Sequence, residues 1–203
     1  MHYDLQNLDT KLTRFNDTVM CEFKRIFDSI SVDTFAPALD MILETEKNGG
    51  RVHITGIGKP HHVSQYLASL FSSTGTPAYF LDGTEATHGS SGQVKPGDVV
   101  IAISYYGDVA ELNRTVVTLK SNGAKLIAMT GFDNSFIAKY ADVHINCFVA
   151  EEGDELNRAP RTSMLATLWM GMALSLLLQE IKGLTLEQYL HFHPSGILGK
   201  EKM

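Results

Sequence analysis

The sequence predicts an α/β protein, a three-layer sandwich in which helices cover both faces of one doubly wound, five-stranded parallel sheet. Three observations predict it. Five short β-rich runs, RVHITG, PAYFL, DVVIAIS, AKLIAMT and DVHINC, recur along the chain. Helical segments near 61–74, 109–121 and 134–140 fall between most of them. The runs are dominated by apolar, β-branched residues, as strands buried on both faces require.

Each element has its own signal. Between Leu5 and Ile30 the residues Leu8, Leu12, Phe15, Val19, Phe23 and Ile26 recur every three or four positions, the period of an amphipathic helix. Asp33 or Thr34 can cap a second helix, which ends at the Gly49-Gly50 pair. Strands and helices then alternate through DVHINC. A long helix from about Ser163 to Ile181 closes the fold. Its apolar stretch MLATLWMGMALSLLLQ is interrupted by Thr167, Gly171, Ser175 and Gln179 and stays short of the roughly 18 residues of a membrane span, so it reads as a buried helix. No proline-rich linker or internal repeat divides the chain. Residues 1–203 are therefore read as one domain, with N-terminal helices over about 5–48 packed on it.

Composition narrows the partners. With 44% hydrophobic and 20% charged residues the chain has the balance of an ordinary globular protein. A net charge of −6 argues against nucleic acid or an anionic membrane as the main partner, since both call for a basic face. A small anionic ligand stays open. Cys21 and Cys147 stand far apart in no metal-like spacing, so neither a disulfide framework nor a structural zinc site is expected. The start MHYDLQNLDTKL lacks the pattern of a signal peptide, and reducing cytoplasm is the expected compartment.

In a doubly wound sheet, ligands gather beyond the carboxyl ends of the strands. The loops there are TGIGKPHH, LDGTEATHGSSG, SYYGDVAE, TGFDNS and CFVAEEGDELNRAPR. TGIGKP offers a flexible backbone, a helix start and the cation of Lys59; alone it is equally a tight turn. SYYGD repeats that grammar with Ser104 and Gly107, and two such loops on adjacent strands favour a phosphate site. Glu111 is either a first-turn acid placed by the helix dipole or a functional carboxylate. HFHPSGILGK sets two histidines beside Ile197 and Leu198 in a tail, and His193 reads as packed or catalytic. His2, His53, His61, His62, His144 and His191 read as structural or surface residues.

Taken together, ITGIGKP, STGTP, EATHG, VVIAIS, ADVHI, APxxS and LHFHPSGILGK resemble the sugar isomerase (SIS) domain of the arabinose-5-phosphate isomerases, over about Ala36 to Lys200. The resemblance implies a flavodoxin-like fold. It also implies reversible conversion of D-ribulose 5-phosphate to D-arabinose 5-phosphate through an enediol, supplying Kdo for lipopolysaccharide or capsule, with no cofactor and no metal. By position it implies Lys59, Glu111, Glu152 and His193 as the catalytic set. It implies Gly58, Gly75, Thr76, His88, Ser104 and Gly107 as substrate-binding, and a homotetramer in which the histidine of HPxG comes from a neighbouring subunit. His193 or Glu111 would move protons, Lys59 would hold negative charge and Glu152 would orient a hydroxyl or a catalytic partner.

The chain departs from that family in places. Pro60 stands where a serine is usual, and the serine turn SNSGES reads Ser104, Tyr105, Tyr106, Gly107, Asp108, Val109, which removes three hydroxyl donors to phosphate. Ser104, Thr55, Lys59 and backbone N–H groups remain. Arg158 and Arg161 replace neutral residues, and one of them, Arg161 by preference, is expected at the phosphate. Asp82 replaces a histidine tied to zinc inhibition, so weak zinc sensitivity is expected. Full-length members carry a pair of CBS modules after the SIS domain; this chain ends just past LGK and is expected to act without them. The alternatives are another phosphosugar isomerase of the same fold, or a non-catalytic sugar-phosphate sensor.

Overall fold

The five expected strands form one parallel sheet in the order β2-β1-β3-β4-β5. These are β1 (Val52–Gly56), β2 (Ala78–Asp82), β3 (Val99–Ile103), β4 (Lys125–Thr130) and β5 (Val143–Asn146). Register pairs Val52 with both Ala78 and Val99, Val99 with Lys125, and Ile127 with Val143. The computed structural model describes residues 3–195; His2, Ile197 and Leu198 lie outside the described residues. Central strands β1 and β3 are buried at every position, whereas edge strands β2 and β5 are buried only in part.

Strand alternation deals the core to two faces. In β3, Val99, Ile101 and Ile103 meet α2 (Val32–Lys47), α3 (Lys59–Ser73) and α6 (Thr162–Lys182) through Ile42, Phe71, Met170 and Leu174. Val100 and Ala102 face the other way, onto Leu112, Val116 and Leu119 of α4 (Ala110–Ser121) and Ile137 of α5 (Phe136–Tyr140). The expected helix near Ser163 to Ile181 is α6. By length and mean hydropathy it could cross a membrane, yet Ala166, Met170, Leu174 and Leu178 are fully buried in this core.

Four details differ from the sequence reading. The cap of α2 is Ser31, in a reciprocal box with Thr34, so Thr34 is the third helical residue and Asp33 a first-turn acid. The stretch around His88 is two short 3-10 turns, Glu85–His88 and Ser90–Gln93, and not an open loop. A further helix, α7 (Leu186–Phe192), is capped by a Thr185–Gln188 box. The first helix, α1 (Leu5–Ser29), carries an apolar stripe only partly covered within the chain: Ile26 is buried and Phe27 packs on Trp169 at 4.9 Å, but Leu8 and Leu12 are exposed.

Candidate active site

Strand order reverses between β1 and β3, and the helices that follow them, α3 and α4, lie on opposite faces. Their N-termini part at the carboxyl edge and leave a crevice there. Neither start is capped by a side chain, in contrast to α1, α2, α5 and α7. The free N–H groups at the start of α4 and the partial positive charge at both starts suit an anion; in α3 Pro60 has no N–H and the His61 N–H donates to the Gly58 carbonyl at 3.1 Å.

Gly58, at φ 73, turns the chain out of β1 and makes Lys59 the first residue of α3. Lys59 is exposed, and its ammonium makes no ion pair or hydrogen bond with another described residue. Glu111, in the first turn of α4, is exposed as well. It shares a helix face with Thr115 four residues on. Thr115 Oγ1 donates to the Gly83 carbonyl at 2.5 Å, and Gly83 packs against Thr55 and Ile57. That face of α4 is thereby turned toward the loop bearing Lys59.

In the β3 turn, buried Ser104 accepts the Gly107 N–H at 3.2 Å. The Tyr105 hydroxyl donates to the Val149 carbonyl at 2.5 Å, which ties this turn to the segment after β5, and burial pushes its phenol pKa up. Tyr106 stacks on Phe132, 5.8 Å between centroids. Tyrosines standing in for hydroxyl donors thus build an aromatic wall. A cleft of about 170 Å³ opens beside it, lined by Tyr105, Tyr106, Phe132, Phe148, Glu152 and Arg158.

Glu152 is 8% exposed, and its Oε2 accepts the N–H groups of Arg161 at 2.7 Å and Ser163 at 3.1 Å. Its carboxylate therefore caps α6. Its own N–H donates to Asn157 Oδ1 at 2.6 Å; Asn157, at φ 46, holds a left-handed backbone that few non-glycine residues adopt. The two added arginines separate. Arg158 lines the cleft with Glu152, whereas the Arg161 guanidinium pairs with Asp154 and lines a different groove, along α1. Desolvation would raise the Asp154 carboxyl, but the Asn157 N–H and the Arg161 guanidinium outweigh it and hold it below its usual range.

His88 is exposed at the end of its 3-10 turn. Asp82 anchors that turn, accepting the N–H groups of Thr84 at 2.8 Å and Glu85 at 3.0 Å. Two buried hydroxyls at this edge, Thr55 Oγ1 and Ser163 Oγ, have no partner among the described residues.

Other expected residues lie elsewhere in a single chain. Gly75 and Thr76 precede β2, and in a parallel sheet that puts them at the amino edge; Lys182 Nζ from the far end of α6 reaches Thr76 Oγ1 at 2.6 Å and the Gly75 carbonyl at 3.2 Å. His193 closes α7, just beyond that end of α6. Its Nδ1 donates to the Tyr189 carbonyl at 2.8 Å and its ring stacks on Tyr189 at 4.2 Å, which leaves Nε2 as the basic nitrogen. No described contact joins His193 to Lys59, Glu111 or Glu152. One chain thus gathers Gly58, Lys59, His88, Ser104, Gly107, Glu111 and Glu152 along the carboxyl edge, without His193, Gly75 and Thr76.

Sequence reasoning missed Tyr105, Asn157 and Glu22 as supports of this edge. Glu22 had a signal: it falls on the apolar stripe of α1, three residues after Val19 and four before Ile26, and it is buried.

Comparison with known proteins identifies the lineage. The SIS domain family matches residues 46–177. Arabinose 5-phosphate isomerase KdsD of Pseudomonas aeruginosa is 39% identical over 168 residues, 83% of this chain and 51% of that protein. KdsD of Escherichia coli K12 is 43% identical over 152 residues, 75% of this chain and 46% of that protein. The chain spans about half the length of these curated relatives. A solved structure, E. coli CFT073 c3406 in complex with arabinose 5-phosphate, superposes with TM-score 0.87 at 33% identity, covering 95% of this chain and 100% of that one. With the family matched over well over half of its residues, the chain belongs to the SIS domain family.

Proposed function

We propose that the chain is an aldose–ketose isomerase interconverting D-ribulose 5-phosphate and D-arabinose 5-phosphate, feeding Kdo synthesis for lipopolysaccharide or capsule. The observation that carries this is its likeness to c3406, whose whole length it matches and which holds arabinose 5-phosphate. Residues 1–203 are read as one SIS unit.

From the ketose, a base removes a proton from C1 while the C2 oxygen is protonated, giving the enediol. Delivery of a proton to C2 and loss of the O1 proton give the aldose. Glu111 and the Nε2 of His193 fit the proton-moving roles. Lys59 would stabilise negative charge on oxygen as it develops. Glu152, with Oε2 fixed by α6, has Oε1 left to orient a sugar hydroxyl. Ser104, Thr55, the open helix starts and Arg158 would take the phosphate, with Gly58, Gly107 and His88 beside it.

The proposed assembly is a homotetramer, because a second copy would supply the His193, Gly75 and Thr76 that one chain keeps apart from the rest. The exposed Leu8, Leu12, Met20 and Phe27 of α1, and an apolar groove of about 530 Å³ beside Phe23 and Leu165, are surfaces for it. A phosphosugar substrate and free thiols at Cys21 and Cys147 suit the cytoplasm.

The test is a substrate panel: purified protein incubated separately with ribulose 5-phosphate, a hexulose 6-phosphate and a heptulose 7-phosphate, with aldose products quantified. Arabinose 5-phosphate as the main product supports the reading. Turnover of a longer sugar alone assigns another phosphosugar isomerase, and binding without turnover assigns a sensor.

A further inference from the structure

The segment 148–152, which delivers Glu152 to the crevice, is neither helix nor strand, so its backbone polar groups need partners from elsewhere. Side chains supply them. The N–H groups of Phe148, Val149 and Glu152 donate to Asn146 Oδ1 at 2.8 Å, the Tyr105 hydroxyl oxygen at 3.4 Å and Asn157 Oδ1 at 2.6 Å, while the Val149 carbonyl accepts from Tyr105 and the Ala150 carbonyl accepts Asn157 Nδ2 at 3.4 Å. Two consecutive N–H groups remain, those of Ala150 and Glu151. Both donate to a single atom, Oε1 of Glu22 on α1, at 3.0 and 3.2 Å.

Glu22 is itself held. Its Oε2 accepts the Arg25 guanidinium at 2.7 Å through Nη2 and 3.2 Å through Nε. The same Nη2 donates to the Phe148 carbonyl at 2.7 Å, and the guanidinium lies 5.1 Å from the Phe148 ring centroid. Glu22 is 6% exposed although α1 is largely open to solvent. A carboxylate is almost never buried so deeply without an assigned partner. Here its partners are the Arg25 guanidinium and the N–H groups of the two residues directly before Glu152.

We propose that Glu22 is a positioning residue for the isomerisation, acting through Glu152. With Arg25 it fixes the backbone of 148–151 from one side while α6 fixes the Glu152 carboxylate from the other, so the free oxygen of Glu152 is set by two anchors from opposite ends of the chain. The role rests on the isomerase reading above. It gives α1 a part in turnover beyond any part in association.

The experiment compares Glu22→Gln with Glu22→Met in the full chain. They match in size, and only glutamine keeps an oxygen able to accept both N–H groups. Steady-state kinetics on ribulose 5-phosphate should show kcat at least tenfold lower for E22M than for E22Q, with KM of the two within threefold, and E22Q within fivefold of the native kcat. Equal kcat for the two variants overturns the proposal. Amide hydrogen exchange on the native protein is independent of whether E22M folds: slow exchange at Ala150 and Glu151, kept slow in E22Q and accelerated in E22M relative to β3, supports the anchor, and fast exchange at both in the native chain overturns it. A native protein without isomerase activity, its amides still protected, overturns the isomerase reading and the kinetic role with it, while leaving the anchor established.

Discussion

The carboxylate of Glu152 accepts the backbone N–H of Ser163 at 3.1 Å, so one side chain both closes the N-terminus of α6 and stands in the cleft beside Arg158. Structure and chemistry therefore separate by substitution. Glu152→Ala should lower stability by about 1 kcal/mol through loss of the cap, and Glu152→Gln, which keeps an acceptor, should change it by less. Both should lower kcat by roughly a hundredfold, the usual scale for losing a positioned catalytic carboxylate. Thermal unfolding and steady-state kinetics on the same preparations check this.

The two arginines should behave differently. Arg158→Ala removes a cation from the cleft and should raise KM about tenfold, the scale of one charge-assisted bond to phosphate. Arg161→Ala should leave KM within about twofold and cost at most about 1 kcal/mol, because its guanidinium is half-exposed and pairs with Asp154 outside the cleft. Unchanged KM in both variants would leave the phosphate to backbone N–H groups, Thr55 and Ser104.

Gly107 is the least replaceable residue of the β3 turn. It sits at φ 69, and a side chain there would collide with Ser135, whose hydroxyl accepts the Ala138 N–H. Gly107→Ala should destabilise by more than about 1 kcal/mol and move the free N–H groups at the start of α4, lowering kcat/KM as well. Chemical denaturation with an activity assay measures both.

Acid should weaken the fold through β1. His53 is buried with its Nε2 3.2 Å from Asp98, and burial lowers its pKa against the opposing pull of that carboxylate. The unfolded chain takes up a proton at His53 below about pH 6.5, so stability present above that pH is lost as pH falls through the lower value of the folded state. Burial would raise Asp98, but the N–H groups of Lys95 and Arg51 and the His53 ring outweigh it and lower its pKa, so its contribution is present above the ordinary carboxylate pKa and is lost as pH falls from there through the lower folded value. Denaturation midpoints should fall between pH 7 and 5. His53→Gln, which keeps a donor for Asp98 without titrating near neutrality, should flatten that slope.

Much of this arrangement was legible in the sequence. Five strands declared themselves because strands buried on both faces cannot avoid apolar, β-branched runs, and the carboxyl-edge placement of Lys59, Ser104, Glu111 and Glu152 follows from strand direction alone. The same direction also puts Gly75 and Thr76 at the opposite edge, since they stand before β2, but a motif match carries no edge with it. Tertiary pairings were hidden. Nothing local says that Arg161 meets Asp154 while Arg158 turns to the cleft, that Tyr105 bonds Val149, or that Asn157 takes a left-handed backbone to hold Glu152. The apolar stripe of α1 marks Glu22 as a candidate for burial, but it does not show that its partners are the N–H groups of Ala150 and Glu151.

The central claim is that the carboxyl-edge crevice converges on a phosphorylated sugar and moves a proton between its first two carbons. Incubating the native protein with ribulose 5-phosphate in deuterated water, followed by NMR of the sugars, tests it most directly. The account predicts arabinose 5-phosphate carrying solvent deuterium at C2. Ribulose 5-phosphate recovered intact, with neither aldose nor deuterium formed, would contradict it.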